Sequence, residues 1–219
     1  MEKESFVTIK SLKSRGHVMN LLISKVVSSV VQIILFALIP FIWWLITARK
    51  KMSFFNWIGL KKPAGTKFIL WTTGISAAFM LVSFFVLTSL KGIEMATSDF
   101  AGLGISALPA IIVYAVFNTA LPEEILFRGF ILKRIANKFG FAAGNTIQAL
   151  IFGIVHGIMF FTVAGPVKAL LIILFTGIIG WFMGYINEKK SDGSIIPSWI
   201  IHSIANIFSG LCSAFLLFT

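Results

Sequence analysis

Three short clusters in this chain of 219 residues carry side chains that can do chemistry. The first is Pro122-Glu123-Glu124-Ile125-Leu126-Phe127-Arg128. On a helix, Glu124 and Arg128 stand i, i+4 and pair on one face. Glu123 points about 100° away and is left without that partner. A carboxylate shielded from bulk water can accept a proton near neutral pH. The second cluster is Phe152-Gly153-Ile154-Val155-His156, where Asn145, Gln148, Phe152 and His156 share one helical face. A histidine there can bind a water, a metal or a proton. The third is His202-Ser203-Ile204-Ala205-Asn206. His202 and Asn206 are one helical turn apart, with Ser198 one turn before them, and two donors aimed at one point suit an oxyanion. Taken singly, each cluster also has a plain structural account. The first can be a helix start at a membrane interface, the second an imidazole satisfied by a neighbouring helix, the third an interhelical hydrogen bond.

The elements that must position these residues follow from composition. Hydrophobic residues make up 58% of the chain and charged residues 12%, about half the usual charged share. That leaves too little polar surface for a soluble globule and too much hydrophobicity for disorder. A single cysteine, Cys212, leaves no internal disulfide framework. The expected fold is all-α, a polytopic bundle of transmembrane helices. Uncharged runs long enough to span lie at Val26–Ala48, Phe68–Leu90, Phe100–Pro122, Phe139–Val167, Ala169–Asn187 and Ile195–Thr219. This gives about six spans. The stretch Glu123–Lys138, with six charges, is expected as a short motif-bearing helix that dips into the membrane or lies on it. Residues 1–20 form a basic tail, 21–99 the N-terminal helices and 100–219 the core that holds the three clusters. The N-terminus is not of secretory-signal type, since its apolar run is long and no small-x-small site ends it. The pairs Gly140/Gly144, Gly153/Gly157 and Gly180/Gly184 are expected to let helices approach closely.

The net charge of +11 is read as topology, not as nucleic-acid binding. Lys and Arg concentrate in 49–67, 123–138 and near Lys189 and Lys190, which places these stretches in the cytoplasm. The basic residues Lys3, Lys10, Lys13, Arg15 and Lys25 run against that assignment. An interfacial N-terminal helix or a re-entrant first segment reconciles them. Charged groups within a span cost on the order of 2.5–3.5 kcal/mol at its centre and usually face a bundle interior. Two carboxylates, two histidines and an asparagine on three segments of one small bundle therefore point to a shared site in the cytoplasmic half of the bilayer.

Glu-Glu-x-x-x-Arg, Phe-x-x-x-His and His-x-x-x-Asn, in this order, resemble the three motifs of the CPBP family, the CAAX prenyl proteases and bacteriocin-processing (Abi) proteins. Glu123, Glu124 and Arg128 match the first motif, Phe152 and His156 the second, His202 and Asn206 the third. The resemblance covers roughly residues 100–210. It implies an intramembrane endopeptidase in which Glu123 and His156 activate water, and His202 and Asn206 stabilise the oxyanion. Glu124 shares that work or holds geometry, with Arg128 and Phe152 in support. Family members are often regarded as metalloproteases, and Glu123, His156 and His202 would be the zinc ligands if a metal is used. A metal-free, glutamate-activated water is favoured, because the pairing of His202 with an asparagine suits an oxyanion hole. Partners are the lipid bilayer and a peptide or protein substrate: a CAAX-type C-terminus, a bacteriocin leader or a peptide pheromone. The expected location is a bacterial plasma membrane. A non-enzymatic immunity or scaffold protein is the alternative. A proton-relay transporter through Glu123 and His156 ranks last, since no internal repeat is visible.

Overall fold

The computed structural model describes residues 2–217, with side chains from Gly16 onward. The side chains of the basic N-terminal stretch, and residues 218–219 of the last expected span, lie outside that description. The described residues are all-helical, with no strand among them. Six helical elements organise them. Helix α1 is Glu2–Thr47, α2 is the short Phe54–Ile58, and α3 is Lys67–Ser89. Helix α4 is the rod Gly104–Phe139, α5 is Phe141–Lys190 and α6 is Ile196–Ala214.

Four helical segments among the described residues are long and apolar enough to cross a membrane: Gly16–Thr47, Lys67–Ser89, Gly104–Phe139 and Phe141–Lys190. The expected count of about six is not confirmed by these four, for two physical reasons. Helix α5 contains two of the expected spans as arms of one hairpin. It breaks at Gly165, where φ is 79° and ψ 169°. Pro166 has no N–H to give and pushes the preceding residue towards extended ψ, and only glycine takes that φ without strain. The sixth expected span falls on α6, which is 19 residues long, and His202, Asn206 and four serines dilute its hydropathy.

A second correction concerns Glu123–Lys138. It is no separate short helix but the second half of the α4 rod, continuous with the span before it. Two π-helical stretches, Tyr114–Ala120 and Ile125–Leu132, flank the Leu121–Glu124 turn. Widened turns of this kind re-register a helix and occur often at functional sites. Here they carry Pro122 within a continuous rod.

The hairpin of α5 closes on its glycines. A Cβ at Gly153 would stand 2.5 Å from the Ile173 carbonyl oxygen, and one at Gly157 would overlap the Ile173 side chain. On the return arm, a Cβ at Gly184 would overlap the Asn145 amide, and one at Gly180 would stand 3.0 Å from an Arg128 nitrogen. Asn145 Nδ2 and Gln148 Nε2 then donate to the Trp181 and Gly180 carbonyls across the hairpin, both at 2.9 Å. Gly144 packs against Ala136 of α4, but Gly140 meets nothing and serves as the turn between α4 and α5, with φ 85°.

The bundle is apolar outside and polar inside, the reverse of a soluble protein. Ile46, Leu70 and Val167 are about 80% exposed, whereas Glu124, Arg128, Asn145, Gln148, Asn187 and Ser198 are fully buried. In lipid this arrangement leaves hydrocarbon against hydrocarbon and satisfies polar groups from within. The three basic stretches meet at one end. Ile195 N–H donates to the Gly59 carbonyl at 2.8 Å, Ser194 Oγ to the Lys61 carbonyl at 2.6 Å, and Lys133 Nζ to Glu188 at 2.6 Å and the Gly193 carbonyl at 2.8 Å. Lys25 pairs with Asp99 at 2.8 Å, away from that end.

Candidate active site

Three helices converge on the site. α4 brings Glu123 and Glu124, the first arm of α5 brings Phe152 and His156, and α6 brings Ser198, His202 and Asn206. The i, i+4 spacing in α4 does what the sequence predicts. Arg128 Nη1 donates to Glu124 Oε1 at 3.0 Å, with both side chains fully buried. The guanidinium also lies over the Phe152 ring, 4.1 Å from its centroid. A delocalised, planar cation is suited to that position.

Glu124 is the hub of the structural half of the site. Besides Arg128 it accepts Ser198 Oγ at 2.5 Å and faces His202 Nδ1 at 3.0 Å. Ser198 is itself held by Asn187, whose Nδ2 reaches Ser198 Oγ at 2.7 Å and whose Oδ1 accepts the Ser198 N–H at 3.2 Å. Three helices are thereby tied to one carboxylate. A carboxylate can only accept, so the His202 Nδ1 carries the hydrogen and its Nε2 faces the other way.

Glu123 is different. Its Oε2 is buried and has no hydrogen-bond partner. It stands 3.8 Å from His156 Nε2 and 3.8 Å from His202 Nε2. His156 Nδ1 lies 2.8 Å from the Phe152 carbonyl, which can only accept, so here too Nε2 is the nitrogen turned to Glu123. One carboxylate oxygen thus faces two ring nitrogens across gaps too wide for direct hydrogen bonds. A water at about 2.8 Å from each of these atoms would fit the gap.

These groups open onto a cavity of about 610 Å³. Glu123, His156, His202 and Asn206 lie on its wall with Tyr114, Asn118 and Thr119, and Phe36, Met95 and Met159 line it too. A smaller cavity of about 160 Å³ touches His156, His202 and Asn206 from the side of α3 and the return arm of α5.

Residues 105–208 match the family model described as type II CAAX prenyl endopeptidase Rce1-like. Over this stretch, a little under half of the chain, the sequence is similar to that family. No curated protein and no solved structure matches the chain. The Rce1-like segment begins near the top of α4 and ends within α6, so it takes in all three motifs, and the resemblance read from them is borne out. The family is a protease family.

The Rce1-like core brings the sequence-nominated residues Glu123, Glu124, His156 and His202 into one cluster, with Arg128 and Phe152 behind it. Asn206 sits on the same cavity wall, but its Nδ2 donates to Thr119 Oγ1 at 2.7 Å. The zinc set is not in place. No group of three His, Cys, Asp or Glu among the described residues has spacing that holds a metal. The two 3.8 Å gaps exceed the roughly 3.3 Å ligand-to-ligand spacing of tetrahedral zinc bonds near 2.0–2.1 Å. Sequence reasoning missed Asn187, Asn118 and Thr119. Their signal was available: each is a polar side chain within an apolar run, and such groups face the bundle interior.

Proposed function

We propose that this membrane protein is an intramembrane endopeptidase of the CAAX type, acting on a membrane-associated peptide or protein by glutamate-activated water. The single observation that carries the reading is the unpartnered Glu123 Oε2, flanked at 3.8 Å by two imidazoles on the wall of a cavity large enough for several residues of peptide. Glu123 takes a proton from the water as its oxygen attacks the scissile carbonyl carbon. His156 Nε2 accepts the water's second hydrogen bond and orients it. Negative charge forms on the carbonyl oxygen, which faces His202 and the second N–H of Asn206. The proton held by Glu123 passes to the amide nitrogen, the C–N bond breaks, and a carboxylate and an amine leave. A base of this kind contributes typically 10²–10⁴-fold, and each oxyanion donor about 10²–10³-fold. Glu124, held by Arg128 and Ser198, sets the ring orientation of His202 without touching the substrate.

The positive-inside bias supports placing the end with Lys61, Lys133 and Glu188 in the cytoplasm of a bacterial cell. Because CAAX prenylation is generally a eukaryotic modification, bacteriocin leaders and peptide pheromones are the natural candidates beside prenylated C-termini. The test has two arms. Purified protein in liposomes is given a farnesylated, quenched fluorescent peptide ending in a CAAX sequence. In parallel, peptide termini are compared by mass spectrometry in cells making wild type or Glu123→Gln at equal membrane levels. Termini or fluorescence that require Glu123 support the reading. No difference in either arm, with the cellular phenotype intact in Glu123→Gln, overturns it in favour of an immunity or scaffold protein.

A further inference from the structure

The oxyanion assignment of Asn206 raises a question of orientation. A carboxamide has two N–H donors on one side and an acceptor on the other, and only the nitrogen end helps an oxyanion. On an apolar helix such as α6 nothing in the sequence says which end faces the cavity. The structure supplies a partner. Thr119 sits in the π-helical stretch of α4, and its Oγ1 lies 3.1 Å from the Tyr114 carbonyl and 3.3 Å from the Ala115 carbonyl. A hydroxyl has one hydrogen, and a carbonyl can only accept it. With that hydrogen committed to the helix backbone, Oγ1 turns a lone pair towards α6. It can then accept from Asn206 Nδ2, at 2.7 Å, and would repel Asn206 Oδ1. One N–H of Asn206 is thereby fixed on Thr119, and the geminal N–H remains for the cavity that Asn206 shares with His156 and His202.

We propose that Thr119 is a positioning residue that sets the amide orientation of Asn206 and so completes the oxyanion hole. This rests on the endopeptidase reading above. The π-helical turn is part of the device, because it lets one hydroxyl reach both the i−4 and the i−5 carbonyl. Neither the three motifs nor the spacing of any of them contains this residue.

The test is a double-mutant cycle on full-length protein in liposomes, with rates read on the farnesylated peptide or, where the cells reveal another substrate, on that peptide. Thr119→Val keeps the shape and removes the lone pair. It is expected to lower kcat by about 10-fold to 100-fold, short of the full loss of a donor, with KM changed less than about twofold. Thr119→Ser restores the hydroxyl and is expected to recover most of that loss. In an Asn206→Ala background, Thr119→Val should add less than about twofold, because the group it orients is gone. A fall with Asn206→Ala but none with Thr119→Val overturns the role of Thr119 alone. So do effects that multiply, a serine variant no better than valine, or a valine variant that fails to fold while Asn206→Ala folds. Wild-type rates in Asn206→Ala overturn instead the oxyanion assignment on which it rests, and absence of wild-type cleavage overturns the endopeptidase reading itself.

Discussion

Glu123 and Glu124 are neighbours in sequence, yet the structure assigns them opposite burdens, and exchanging each for glutamine separates these. Glu124 accepts from Arg128, Ser198 and the His202 ring, with both members of the Arg128 pair fully buried. Glu124→Gln leaves a buried guanidinium without its counter-charge. Breaking such a pair from one side costs about 3–5 kcal/mol. For a chain of this length, about 2–4 °C per kcal/mol gives a fall in melting temperature of roughly 6–20 °C. Glu123 Oε2 has no hydrogen-bond partner to lose. Glu123→Gln should therefore stay within about 0.5 kcal/mol of wild type, a shift of no more than about 2 °C. The activities should run the other way in kind. Glu123→Gln lowers kcat by about 10²–10⁴-fold in folded protein, whereas Glu124→Gln loses activity together with structure. Thermal unfolding of the detergent-solubilised proteins by intrinsic fluorescence, beside cleavage rates at a temperature where both are folded, reads the two quantities. Equal destabilisation by the two substitutions, or a fully stable and inactive Glu124→Gln, would refute the division of labour.

Four further outcomes follow from the same geometry. Arg128→Lys keeps the charge but loses the planar stack on Phe152, so it should destabilise by about 1–2 kcal/mol, less than Arg128→Met; melting curves of the pair check the order. Gly157→Leu would drive a side chain into Ile173 and should cost about 1–3 kcal/mol or prevent folding. Gly140→Ala meets no neighbour and should cost only the backbone strain of a conformation open essentially to glycine alone (φ 85°, ψ 162°), about 1–3 kcal/mol, again read by thermal unfolding. Finally, single cysteines at Lys61 and Asp192 should be labelled from the same side of the membrane, and one at Asp99 from the opposite side. The buried native Cys212 gives little background. Labelling of all three from one side would refute the proposed path of the chain.

The sequence by itself determined a great deal of this protein. Its long uncharged runs pointed to an all-helical membrane bundle, because a helix of about 20 apolar residues satisfies its own backbone in hydrocarbon, whereas a barrel strand needs only about 10. The i, i+4 spacing of Glu124 and Arg128 determined their pairing, since helical geometry alone brings those positions together. The order of the three motifs was enough to indicate the family. Long-range consequences were not legible. That Glu123–Lys138 continues the preceding span depends on the two π-helical stretches. Local charge density gives no sign of these, and it suggested a separate short helix, dipping into the membrane or lying on it. The folding of 141–190 into one hairpin depends on Gly165-Pro166 together with glycines that meet only after the chain turns back. Above all, the roles within the site needed three dimensions. Glu123 is the unpaired carboxylate, Glu124 the hub held by Ser198 and Asn187, and Asn206 is oriented by Thr119 from another helix. A side chain's partners across a bundle are set by packing of whole helices against one another, and no local spacing encodes them.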